Sequence, residues 1–256
     1  MIDLNNIKYK RIFCFGCSFT AGLGTWADLL KLHFENTDTE VRNFGWGGAG
    51  NYYIFNNIVE KSLLYDFTKD DLILIQWSGC LREDRFKDGE WWTPGNILNQ
   101  DTYSKSFVDE WFFDEEGMTK RDYSYIHSIQ KMLECTNVDY EMFSMNGLKP
   151  IGQYRTVTTD GLELNLERPV FTELTTLYHD TLIKLHPSMF KIIWGSETAH
   201  PPVNNIKTKI SKENPDGYDQ HPLPSQHLLY LEKVFQFKPS DEFRTHVDKI
   251  TKELLC

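Results

Sequence analysis

Two stretches at opposite ends of the chain hold the residue types that nucleophilic catalysis needs. The first, RIFCFGCSFTAGLG over residues 11–24, carries an apolar, β-prone run into Gly16-Cys17-Ser18. A strand ending in Gly lifts the next hydroxyl off the carboxyl edge of a sheet, where open α/β sheets keep their ligand crevices. Taken alone, Ser18 reads better as the cap of the following helix. The second stretch, DGYDQHPLPSQH over residues 216–227, tips the balance. A serine hydroxyl is scarcely ionised at neutral pH and needs a neighbouring base. His221 fits that role, in a turn whose Pro222 starts the next helix without wasting an amide hydrogen. Asp219, two residues earlier, is placed to hold the far imidazole nitrogen as an orienting acid. His227 reads as structural. The serine segment is not the G-x-S-x-G elbow, because Thr20 stands where the last Gly would be.

Hydrophobic patterning says which elements must bring these ends together. Residues 11–16 form the first strand, and residues 25–34 a helix. A short strand over residues 40–45 leads through Gly47-Gly48-Ala49-Gly50 into a helix over residues 51–65, with Ile54, Ile58 and Leu63 as its buried stripe. DLILIQWS, residues 71–78, is an uninterrupted apolar run and predicts a central parallel strand covered on both faces. Residues 87–99 read as loop, residues 103–114 and 120–134 as helices, and residues 138–145 as a fourth strand. Residues 149–168 suggest a hairpin or irregular excursion, and residues 171–185 a helix. Residues 190–194 fit either a fifth strand or a helix end. Helices over residues 222–235 and 241–255 complete the chain. Strands alternating with helices imply βαβ crossovers and a layered α/β architecture.

Length and composition narrow the function. The 256 residues suit one domain, 1–256, with an elaborated insertion around 86–188. A net charge of −10 argues against a general nucleic-acid surface and against docking on anionic membranes. The amino-terminal residues lack a long apolar core, so a cytoplasmic location is expected, with a virion as the alternative. Five cysteines without framework spacing suit a reducing compartment. Cys14 and Cys17 form a single C-x-x-C; with no second pair, zinc is not expected, and redox chemistry is the minor alternative. The acidic run over residues 109–116 reads as a solvated helix face. No metal or organic cofactor is implied.

The serine stretch, NFGWGGAGN (residues 43–51) and the histidine stretch together resemble the GDSL or SGNH hydrolase family, nearest its phage and bacterial branch that reads GCSFT. The resemblance implies a three-layer α/β/α sandwich with a parallel, flavodoxin-like sheet. It also implies ester hydrolysis through Ser18, His221 and an acid. That acid commonly sits three residues before the histidine, where this chain has Tyr218, so Asp216 stands beside Asp219 as a candidate. The implied oxyanion donors are the backbone amides of Ser18 and Gly48. The family's Asn after the third strand is replaced by Ser78, whose hydroxyl is one substitute donor and the Asn51 side chain another. The implied substrate is a small or carbohydrate ester, acetyl esters first, with virion proteins as partners if the chain is a catalytically silent phage component. Arg82 and Arg85 follow the third strand and either hold an anionic or carbonyl group or pair with Glu83, Asp84 or Asp88. Trp77, Trp91, Trp92 and Trp111 offer stacking surfaces for a sugar or acyl group, or else the small core of an insertion. Convergence of Ser18, His221 and Asp219 at the carboxyl edge is the geometric expectation.

Overall fold

The computed structural model describes residues 4–5, 8–97, 103–111, 114–148, 154–159, 162–167, 169–197 and 221–255. From the amino end come β1 (Arg11–Phe15), α1 (Trp26–His33), β2 (Glu40–Asn43), α2 (Asn51–Tyr65) and β3 (Asp71–Trp77). A short hairpin of β4 (Arg85–Lys87) and β5 (Glu90–Trp92) precedes α3 (Lys105–Trp111), α4 (Glu115–Thr136) and β6 (Asp139–Ser144). A second hairpin, β7 (Tyr154–Thr159) with β8 (Leu162–Glu167), leads to α5 (Pro169–Leu177), α6 (His179–Leu182) and α7 (Met189–Trp194). The last described elements are α8 (Pro224–Phe235) and α9 (Asp241–Leu255).

β2, β1, β3 and β6 form a parallel sheet in that order. The chain moves outward from β1 to β2 and then returns to β3 on the other side. The switch point therefore lies between the carboxyl ends of β1 and β3, where ligands collect in flavodoxin-like sheets. All seven residues of β3 are buried. Since successive side chains point to opposite faces, both faces of the sheet are covered. The helices that cover it fall into two packed groups, α1 with α8, α7 and α9, and α2 with α4 and α5. Phe13 packs tilted against Phe67, with ring centroids 4.9 Å apart, while Trp26, Phe143 and Tyr230 form a second aromatic core.

Several elements differ from the sequence expectation. Residues 190–194 are helical because Ser188 caps the amide of Lys191 and Gly195, at φ +76°, ends the turn. The position beside β6 is held instead by a single parallel bridge between Met142 and Leu185. The helix expected over residues 171–185 breaks at Tyr178 into α5 and α6. The segment read as loop over residues 87–99 begins with the last residue of β4 and holds all of β5, in a hairpin fastened by the cross-strand pair Phe86 and Trp91. Leu63 is 82 % exposed, since it lies five residues beyond Ile58 and thus about 140° around α2 from it. No helix among the described residues is long and apolar enough to cross a membrane.

Candidate active site

The turn that carries Ser18 is fixed from below and from the side. β1 ends at Phe15, and the amides of Thr20 and Ala21 both donate to the Cys17 carbonyl at 2.9 Å. Underneath, the Thr20 hydroxyl donates to Gln76 Oε1 at 2.6 Å and accepts from Trp26 Nε1 at 3.1 Å. Gln76 in turn meets the Cys17 thiol at 3.6 Å and Met189 Sδ at 3.3 Å. Gly16 has to be glycine, because a Cβ there would collide with Thr20 Oγ1. From the side, Asn43 Nδ2 donates to the Thr20 carbonyl at 2.7 Å, and the Trp46 amide to the Gly16 carbonyl at 3.1 Å. Gln76, Thr20 and Asn43 are positioning residues that local pattern did not reveal. Gln76 directly follows the apolar run Leu72–Ile75 of β3, and a lone amide at that point was the available signal.

Ser18 is half-buried and lines a cavity of about 280 Å³ together with His221, His227 and Gly47. The carboxyl-terminal histidine block is thus brought to the amino-terminal serine. Among the described residues the rest of the wall is mostly apolar, including Ala21, Leu23, Pro222, Leu223, Pro224 and Leu254, with Thr25 beside them. The Phe19 ring stands between the two histidines, 5.0 Å from His221 and 6.5 Å from His227 by ring centroids. Ser18 makes no hydrogen bond among the described residues, so the expected Ser18–His221 bond is not formed here. Such bonds are often long without substrate. Asp219 and Asp216 lie outside the described residues. His227 is 1 % exposed and its Nδ1 is buried without a partner among the described residues. Burial first, and the charge of His221 second, push its imidazole down to about 3, so it is neutral at any ordinary pH.

The backbone N–H groups of Ser18 and Gly48 have no acceptor among the described residues, and neither do those of Phe19 and Gly47. Gly48 sits at φ +73°, and a Cβ there would collide with the Thr93 carbonyl. Thr93 Oγ1 donates to the Gly47 carbonyl at 2.8 Å, so the hairpin region braces this loop. Asn51 and Ser78 are both fully buried and hold one another. Asn51 Nδ2 donates to the Ser78 carbonyl at 3.0 Å and to Asp122 at 2.8 Å, while its Oδ1 accepts the Ser78 amide at 2.7 Å. Both amide hydrogens of Asn51 are therefore spent inside the protein, which corrects its reading as an oxyanion donor. The Ser78 hydroxyl is buried with no partner among the described residues. Asp84, missed by sequence reasoning, accepts the amides of Gly50 and Tyr53 at 2.8 Å each and caps α2. Asn146, after β6, lies against Gly79, its Nδ2 3.1 Å from where a Cβ would stand.

The expected substrate-binding residues divide. Trp77 is 0 % exposed and presents no face to a ligand, because the β3 position that carries it is covered on both sides. Arg85 pairs with Glu83 at 3.5 Å. Arg82 is half-buried and donates to the Ala49 carbonyl at 2.9 Å and to Met145 Sδ at 3.7 Å, so it braces the entry to α2. Trp91 packs on Tyr53 at 5.3 Å and Trp92 on Tyr103 at 5.7 Å, as an insertion core would. Trp111 lies outside the described side chains. Cys14 and Cys17 are free and buried. Within the acidic run, Asp109 pairs with Lys105 and Asp114 caps α4 through the Gly117 amide at 3.0 Å. No cluster of three metal-ligating side chains exists among the described residues.

No protein-family model and no curated protein sequence matches the chain. Among solved structures it is similar to a member of the lipolytic G-D-S-L family from Veillonella parvula, at 14 % identity and a TM-score of 0.42, over 89 % of this chain and 99 % of that one. It is similar also to a psychrotrophic esterase from Pseudoalteromonas inhibited by monoethylphosphonate, at 14 % identity and TM-score 0.42, over 88 % and 94 % of the two chains. A GDSL-like lipase from Bacteroides thetaiotaomicron aligns at 12 % identity and TM-score 0.42, over 94 % and 88 %.

Proposed function

We propose that this chain is a serine ester hydrolase that passes an acyl group to water through Ser18. The observation that carries the reading is that Ser18 and His221, 203 positions apart in the sequence, line one cavity beyond the carboxyl ends of β1 and β2. In the proposed cycle, Ser18 Oγ bonds to the ester carbonyl carbon as its proton moves to His221. The carbonyl electron pair becomes an oxyanion, which the unpaired N–H groups of Ser18 and Gly48 are available to meet. The C–O bond to the alcohol then breaks as His221 returns the proton to the leaving oxygen. Water repeats the sequence on the acyl-enzyme and restores Ser18. Asp219 is the assigned orienting acid, with Asp216 next. The unpartnered Ser78 hydroxyl is the side-chain candidate for a third donor. The substrate assigned on resemblance is a small or carbohydrate ester, acetyl esters first.

A second reading, a catalytically silent scaffold such as a phage structural component, draws support from the Ser18 hydroxyl being unbonded and from the commitment of Asn51. Labelling with a fluorophosphonate separates the two, since it requires an activated nucleophile and no natural substrate. Stoichiometric labelling that Ser18→Ala abolishes supports the hydrolase. A folded protein that is not labelled at pH 7.5 overturns it and leaves the scaffold.

A further inference from the structure

The entry to α2 carries Gly48, whose N–H is one of the two backbone oxyanion donors of the hydrolase reading. We propose that Arg121 and Asp122 on α4 are positioning residues for that donor: through Asn51 and the turn that follows β3, they set where residues 47–50 stand relative to the edge of the sheet. The use of Gly48 rests on the hydrolase reading, whereas the clamp itself rests on hydrogen bonds alone.

The turn after β3 grips the entry to α2 at three successive residues. Arg82 Nη1 donates to the Ala49 carbonyl at 2.9 Å, Asp84 accepts the Gly50 amide at 2.8 Å, and both backbone groups of Ser78 bond to the Asn51 side chain. Arg121 holds the same turn from α4, its Nη2 donating to the Arg82 carbonyl at 3.0 Å and its Nη1 to Glu83 at 2.8 Å. Asp122 closes the set. One of its carboxylate oxygens accepts from Arg121 Nε and the other from Asn51 Nδ2, each at 2.8 Å. That last bond decides which way the Asn51 amide faces. Reversed, the amide would set its oxygen against the Asp122 carboxylate and its NH2 against the Ser78 N–H. The carboxylate therefore selects the one orientation in which Asn51 holds both groups of Ser78.

Asp122 is 0 % exposed, and burial pushes its carboxyl up to about 6 against the opposing pull of Arg121, Asn51 and Cys80. Desolvation offsets most of what a buried ion pair gains, so the pair adds little net stability. What it adds is direction, at a point three residues from Gly48.

Asp122→Asn keeps the shape but leaves one acceptor where two donors converge, so either Asn51 or Arg121 meets an NH2 group. Turnover of p-nitrophenyl acetate should show kcat lowered about tenfold with KM within about twofold, because the donor is displaced rather than lost and acts only in the transition state. Hydrogen exchange of the Ser78 amide, followed by NMR, should accelerate more than that of Leu74 and Ile75, whose amides follow the stability of β3 as a whole. Tyr9→Phe forfeits the bond to Asp139 where β6 begins and controls for lost stability; it should leave kcat and the relative exchange of Ser78 unchanged. If Asp122→Asn does not fold, Arg121→Lys takes its place. It keeps the charge on a partly exposed side chain, drops the bond to the Arg82 carbonyl, and should lower kcat with KM unmoved. Unchanged kcat, or Ser78 exchange that only keeps pace with Leu74 and Ile75 in the folded variant, overturns the clamp and leaves a fluorophosphonate-labelled hydrolase standing. Ser78 exchange selectively raised, in a protein that no fluorophosphonate labels, upholds the clamp and removes the hydrolase.

Discussion

Replacing His227 by Phe should flatten part of the acid dependence of stability. The imidazole is fully enclosed and pushed down to about 3 from an ordinary 6.5, burial being the main cause and the charge of His221 the second. A histidine depressed in the folded state binds its proton more readily when unfolded. The sign follows: stability is fully present above pH 6.5 and is lost as pH falls toward 3. Each pH unit inside that window is worth about 1.4 kcal/mol. Between pH 7.5 and pH 5 the native protein should lose about 2 kcal/mol through this group alone. Carboxylates add their own dependence. Asp122 contributes with the opposite sign, since burial pushes it up to about 6 against the opposing pull of Arg121 and Asn51. Those groups are present in both proteins and cancel in the comparison.

Urea unfolding at the two pH values measures the difference. The native protein should lose about 2 kcal/mol more than His227→Phe on going from pH 7.5 to pH 5. At pH 7.5 the variant should lie within about 2 kcal/mol of the native protein, because Nδ1 has no hydrogen bond among the described residues to forfeit and Phe nearly fills the same space. Equal acid sensitivity in the two proteins would refute the reasoning and would mean that solvent or an unseen partner shares the proton on His227.

Three further outcomes follow from the same geometry. Thr20→Val should destabilise by about 2–3 kcal/mol in thermal or urea unfolding, since it strips Trp26 Nε1 of its acceptor and Gln76 Oε1 of its donor in a dry core. Asp84→Ala should cost about 1–3 kcal/mol by uncapping α2, and a wild-type melting temperature would contradict the cap. Gly48→Ala should reduce ester turnover at least tenfold, because φ +73° and the Thr93 carbonyl both oppose a Cβ; unchanged turnover would remove the loop from the oxyanion site.

What sequence pattern disclosed is what local physics decides. β3 announced itself because an uninterrupted run of apolar residues has few fates other than a strand covered on both faces. α2 was legible to the residue, from Asn51 to Tyr65, because a glycine cluster precedes it and Asp66 ends it at φ 48°. The α7 helix was ambiguous because a short, largely apolar stretch suits a strand or a helix equally; Ser188 and Gly195 were the deciding caps. The cap of α2 was invisible for another reason. Its acceptor, Asp84, lies 34 positions from Gly50 and arrives only when β3 delivers the following turn. Ser18 and His221 were singled out through residue type and the resemblance, whereas the hydrogen bonds beneath the Ser18 turn were not, because nothing local links Thr20 to Gln76.

That support explains why polar side chains are tolerated in the buried core. A serine on a turn is useful only if the turn cannot sag into the strand below it, and apolar packing alone resists sliding poorly because it has no direction. Hydrogen bonds do have direction. Gln76 gives the end of β3 a fixed point, Thr20 ties the Ser18 turn to it, and Trp26 ties the start of α1 to Thr20. Asn43 adds a fourth tether, from β2 to the same turn. The carboxyl ends of β1, β2 and β3 are thereby joined around Ser18 in a single bonded set. Each bond contributes only about 1 kcal/mol net, yet breaking one leaves a buried partner unsatisfied at greater cost. The arrangement therefore resists small displacements far more strongly than its share of the total stability would suggest.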